Sequence, residues 1–200
     1  IAARNDRYVR SRVDRYRPQG EPCGDSCAHF SLTGWTAKFK ACPVPVAIGV
    51  IDTRVDDTHP ALAGAEIQVH TVRRAGHRPS DSAHGTGVVS LLLGQGGAGV
   101  VGILPRAKVV AVDPFHRTGS SDATEAFDLI AAFDVLSARN VRVINMSLSG
   151  PGNALVEQGI RRLVEQGTTL VAAAGPSSAA GTGYPARYDG VVAVSSVDAA

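Results

Sequence analysis

Val46-Ala47-Ile48-Gly49-Val50-Ile51-Asp52-Thr53 is a short apolar run that ends on a carboxylate. It is too short for a stable helix and rich in branched side chains, so it reads as a strand buried on both faces. Four further runs share its character, at 107–112, 141–146, 169–174 and 191–195. Amphipathic stretches lie between them. The clearest spans 122–139, where Asp122 and Glu125 form a capping-box signature and Ala126, Leu129, Ile130, Phe133 and Leu136 recur at helical spacing. A second covers about 154–165, with Val156, Ile160, Leu163 and Val164 on one face. Apolar strands alternating with helices predict an α/β fold: a parallel, doubly wound sheet in three α/β/α layers, with right-handed crossovers. Function in such folds gathers beyond the carboxyl ends of the strands. Asp52, Asp113, Ser147 and Gly175-Pro176 are what follow those ends here.

Composition agrees with one globular domain: 200 residues, 44% hydrophobic and 19% charged, exclude a disordered chain or a coiled coil. The apolar runs fall far short of the roughly 20 residues that a membrane-spanning helix needs. The first 20 residues hold six Arg against two Asp, a basic head without the aromatic platform of a nucleic-acid binder. Residues 1–45 are punctuated by Pro18, Pro22, Gly24, Gly34, Pro43 and Pro45 and read as an irregular lead-in, with the ordered domain over 46–200. Cys23, Cys27 and Cys42 permit one disulfide and one free thiol; the single residue between Cys27 and His29 argues against a zinc finger. The start at Ile1, without a signal pattern, reads as a processed piece.

An acid at a strand end, followed thirty-two residues later by Ser82-Ala83-His84-Gly85-Thr86-Gly87 at the start of an apolar helical stretch, suits a histidine base and its orienting carboxylate. In this company the segment resembles the subtilisin-like serine peptidases over nearly all of 44–200. Val46 to Thr53, with His59-Pro60, is similar to the family's aspartate segment, and His84-Gly85-Thr86-Gly87-Val88 to its histidine segment. Val143-Ile144-Asn145-Met146-Ser147-Leu148-Ser149-Gly150-Pro151 resembles the strand and loop along one wall of the substrate cleft, and Ala172-Ala173-Ala174-Gly175 and Gly183-Tyr184-Pro185 continue in the family's order. The resemblance implies that Asp52 orients His84, the general base. It also implies that Ser147, Leu148 and Ser149 form one backbone edge for an extended peptide, with Gly119, Ser120 and Ser121 opposite. Such a peptide would gain main-chain hydrogen bonds by adding as a strand.

The chain departs from the family pattern at several points. Arg54 follows Asp52-Thr53 in place of glycine, and Gly87 stands where a second histidine is usual. Pro176 occupies the position of the asparagine whose amide helps hold the oxyanion, and proline offers neither that amide nor an N–H. No Gly-Thr-Ser-x-Ala nucleophile segment occurs in residues 1–200. Ser177 imitates one but has no helix to sit on. The glycines of 94–99 mimic a dinucleotide fingerprint, yet a helix precedes them and Pro105 leaves no room for one after them.

The expectation is therefore the N-terminal part of a secreted or periplasmic serine endopeptidase, C-terminally truncated, with its serine outside the chain. The alternative is a non-catalytic peptide-binding relative. No cofactor or metal is required by the chemistry; calcium often stabilises this family, but the sequence offers no defensible ligand set. The substrate is a peptide or protein, with no nucleic acid and no membrane span. The chain alone is expected to be inactive, and its incomplete core is expected to uncover the sheet around 141–146 and 169–174 and so to favour association.

Overall fold

The computed structural model describes residues 7–10, 34–35, 47–175 and 183–196. The three cysteines, His29, Pro176 and Ser177 lie outside these residues. The strands are β1 (Arg7–Arg10), β2 (Ala47–Ile51), β3 (Glu66–Thr71), β4 (Lys108–Asp113), β5 (His116–Thr118), β6 (Ser121–Glu125), β7 (Val143–Met146), β8 (Leu148–Ser149), β9 (Thr169–Ala173) and β10 (Val191–Val194). The helices are α1 (Ala83–Leu93), α2 (Ala126–Ala138) and α3 (Ala154–Glu165).

Six strands form a parallel sheet in the order β10-β9-β7-β2-β4-β3. Its central strands are apolar throughout because both faces are covered. Ile48, Val50, Val109 and Ala111 pack with Val89 and Leu93 of α1. Their neighbours Ile51, Val110, Val112, Ile144 and Met146 pack on the other side with Leu129, Leu136 and Ile160 of α2 and α3. Gly49 leaves room for Leu136, since a Cβ there would lie 3.0 Å from both of its methyl groups. The register aligns the strand ends. Ile51 pairs with Val112 on one side and Met146 on the other, so Asp52, Asp113 and Ser147 emerge side by side at the carboxyl edge.

Three readings of the sequence are corrected. Residues 121–125 form β6 and not the first turn of a helix; α2 begins at Ala126 with Glu125 as its N-cap. The capping-box residues are used otherwise: the Asp122 carboxylate is buried, accepts the Asp81 N–H at 3.1 Å and pairs with Arg117 at 3.3 Å. The lead-in is not irregular throughout, because 7–10 form a strand. Strand β3 carries no apolar run, being an edge strand with alternating exposure, and so leaves no strong sequence signal.

The α1 side of the sheet is covered unevenly. Val143, Asn145, Val171, Val192 and Val194 share the face of Ile48 and Val50 by register, but no described helix covers that half, and Val192 and Val194 are about half exposed. The core on the opposite side is closed. Leu136→Ala in that core should lower stability by about 2–5 kcal/mol in denaturant unfolding, whereas Phe127→Ala, at a side chain 45% exposed, should cost well under half as much.

Candidate active site

Asp52 is the residue directly beyond β2, its amide tied to the Val112 carbonyl at 3.2 Å, and its side chain is buried. His84 occupies the first turn of α1. The Nδ1–H of His84 donates to Asp52 Oδ1 at 2.5 Å, and the same oxygen accepts the Thr53 N–H at 2.7 Å. The ring is thereby fixed with Nδ1 toward the acid and Nε2 on the side away from it. Nε2 is buried and has no hydrogen-bond partner among the described residues.

What brings α1 so close is a glycine. A Cβ on Gly85 would stand 2.1 Å from the Thr53 carbonyl oxygen and 2.9 Å from that of Arg54, closer than any side chain tolerates. Three hydrogen bonds stitch the same seam: Gly85 N–H to Thr53 Oγ1 at 2.9 Å, Asp56 N–H to Thr86 Oγ1 at 2.9 Å, and Arg54 N–H to Ser80 Oγ at 2.9 Å. The departures from the family pattern do not crowd this seam. The Arg54 side chain is exposed, and a side chain on Gly87 would meet nothing within 4 Å.

Asp113 stands at the end of the next strand, β4. It accepts the Ser80 hydroxyl at 3.0 Å and the Phe115 N–H at 2.8 Å, and Arg73 approaches to 3.8 Å. Burial raises its pKa to about 6 against the opposing pull of those partners, and the neighbouring Asp52 adds to the rise.

The residues expected to line the substrate lie in or beside one antiparallel sheet of order β5-β6-β1-β8. Gly119 and Ser120 make the turn of the β5–β6 hairpin, Ser121 opens β6, and Leu148 and Ser149 are β8. Between β6 and β8 lies β1, antiparallel to both: Val9 pairs with Ala123 on one side and Ser149 on the other, and Arg10 with Leu148. Sequence reading gave no sign of this occupant. Tyr8 is fully buried, and Gly150 must lack a side chain because a Cβ there would sit 2.5 Å from the Tyr8 ring. Pro176, read as the altered oxyanion position, lies outside the described residues. The one group of three metal-ligating side chains among the described residues, His77, His116 and Glu125, is separate from Asp52 and His84.

A buried Asp–His pair at the carboxyl edge of a parallel sheet has the geometry of a histidine base held by an orienting acid. The chain belongs to the subtilase family, whose profile matches residues 45–200. It is 31% identical over 162 residues to subtilisin DY of Bacillus licheniformis, covering 76% of this chain and 57% of that protein. It is 33% identical over 156 residues to a thermophilic serine proteinase of Bacillus sp. (strain AK1), covering 76% of this chain and 38% of that one. Among solved structures, the prenylagaramide maturation protease PagA shares 27% identity at a TM-score of 0.62, over 74% of this chain and 52% of its own. Fervidolysin from Fervidobacterium pennivorans, at 22% identity, shares the fold, with a TM-score of 0.75 over 94% of this chain and 32% of its own. The chain thus spans about two fifths to three fifths of the length of these subtilisin relatives.

Asp113 makes stability depend on pH. In the unfolded chain this carboxyl titrates near 3.8, while in the fold it holds its proton up to about 6. Over that window the unfolded state releases the proton first, so stability falls as pH rises from about 4 to 6. Relative to Asp113→Asn, the native protein should lose about 3 kcal/mol over this range in urea titrations. A constant difference would contradict the assignment.

Proposed function

We propose that the protein carrying this chain is a serine endopeptidase in which Asp52 holds the His84 imidazole in one tautomer and orientation. His84 Nε2 takes the proton from a serine hydroxyl as that oxygen attacks the scissile carbonyl. The proton then passes to the leaving amine as the acyl-enzyme forms, and the same histidine activates water for deacylation. The carrying observation is the 2.5 Å contact at Nδ1 with Nε2 left without a hydrogen-bond partner among the described residues. The serine is not provided by residues 1–200 in the family's motif, so this chain by itself is inactive. Substrate is a peptide or protein, bound as an added strand between β6 and β8; β1, already paired with both, supports that reading. The kinship with bacterial subtilisins supports a place outside the cytoplasm, where a disulfide among the three cysteines could persist. The alternative of a non-catalytic peptide-binding domain draws no support from relatives named as proteases.

The 200-residue chain should hydrolyse no peptide and take up no fluorophosphonate probe. A longer form carrying the motif serine should do both, and His84→Ala in that form should lower kcat by about 10⁴-fold or more with KM little changed. Probe labelling of Ser177 in the short chain would overturn the assignment.

A substrate strand needs the slot that β1 fills. Weakening the anchor by Tyr8→Ala should therefore lower KM for an extended peptide severalfold in the active form, with kcat unchanged, as read in steady-state kinetics. An unchanged KM would place the substrate elsewhere.

A further inference from the structure

A second cluster of ionisable side chains lies behind the β5–β6 hairpin, apart from the Asp–His pair. His116 stands at the start of β5, Glu125 at the end of β6, and His77 on the connection that leads from β3 into α1. The three offer ligand atoms that all lie within 4.8 Å of one another. His116 Nε2 and Glu125 Oε1 are 3.8 Å apart, and the two imidazoles are stacked at a tilt with centroids 4.2 Å apart. His116 is more than nine-tenths buried, and Nδ1 of both His77 and His116 is buried without a hydrogen-bond partner among the described residues. Asp128, on the helical turn after Glu125, is buried and leaves Oδ2 without a partner. Buried polar atoms left unpartnered at this density are uncommon unless something joins them.

We propose that His77, His116 and Glu125 bind a divalent transition-metal ion, with Zn²⁺ the ion their donors suit, and that the ion ties the cleft-wall hairpin to the segment entering α1. Two imidazoles and one carboxylate form a nitrogen-rich, borderline-soft donor set that favours Zn²⁺ over the oxygen-seeking Ca²⁺. Tetrahedral bonds of roughly 2.0–2.1 Å put ligand atoms about 3.3 Å apart, so the cluster has only to contract by about 1 Å or a little more. The backbone already supports that geometry: His116 bridges Pro79, and the Arg117 N–H bonds the Arg78 carbonyl at 3.0 Å, holding the His77 segment along β5. Water or Asp128 completes the shell.

Arg74 now supplies the positive charge, 4.0 Å from Glu125 and 3.6 Å from Asp128. It is about half exposed, and its guanidinium lies 5.9 Å from the Phe127 ring centroid. A cation held so loosely can retreat to Phe127 and solvent when a metal arrives. Arg74 is therefore the competitor of the ion, which separates this site from a simple charge cluster.

The test is titration of the purified chain with Zn²⁺ by calorimetry, with Co²⁺ as a spectroscopic probe and Ca²⁺ as control. One Zn²⁺ per chain is expected, with Co²⁺ d–d bands of a four-coordinate site and a melting temperature raised by about 5–10 °C at a hundredfold excess over Kd. His77→Ala and Glu125→Gln, at side chains only partly buried, should each weaken Zn²⁺ at least tenfold while the metal-free protein stays folded. Arg74→Ala should tighten it. Absence of binding would overturn the proposal. So would Zn²⁺ binding that survives His77→Ala and Glu125→Gln, which would place the ion on the cysteines, or a loss of stability in Arg74→Ala that Zn²⁺ does not restore.

Discussion

The approach of α1 to the end of β2 governs the rest of this molecule. Asp52 and His84 are thirty-two residues apart in sequence and can touch only if the backbone at Gly85 passes within side-chain distance of the Thr53 carbonyl. A buried carboxylate is costly to desolvate, and the imidazole N–H and the Thr53 amide offset that cost by bonding one of its oxygens. The sheet register delivers the acid, the helix start delivers the base, and the missing Cβ sets their separation.

Around that contact the architecture solves two distinct problems. The parallel sheet buries both faces of β2 and β4 and thus fixes the site on a rigid edge. The small antiparallel sheet, β5-β6-β1-β8, does the opposite work: it presents two edges whose hydrogen-bonding groups need a strand between them. The chain fills that slot with its own residues 7–10, and a fully buried tyrosine anchors them.

Much of this was legible in the sequence because it rests on local pattern. Valine-rich runs announce β2, β4, β7, β9 and β10, and the Asp52 and His84 motifs sit where the topology puts strand ends and a helix start. The features that escaped depend on tertiary context. Residues 121–125 have the letters of a helix cap, but β1 and β5 on either side claim their backbone for a sheet. Strand β1 itself comes from an arginine-rich stretch with no alternation, and its place is decided by the slot it enters. His77, His116 and Glu125 are scattered over 49 positions without any ligand spacing, so only the fold brings them together.

The central claim is that Gly85 sets the Asp52–His84 hydrogen bond, and proton NMR of the folded chain reads that bond directly. The account predicts a strongly downfield Nδ1 proton that slows in exchange with water, is abolished by Asp52→Ala and is lost or shifted well upfield in Gly85→Ala. An unchanged resonance in folded Gly85→Ala, or none at all in the native chain, would contradict it.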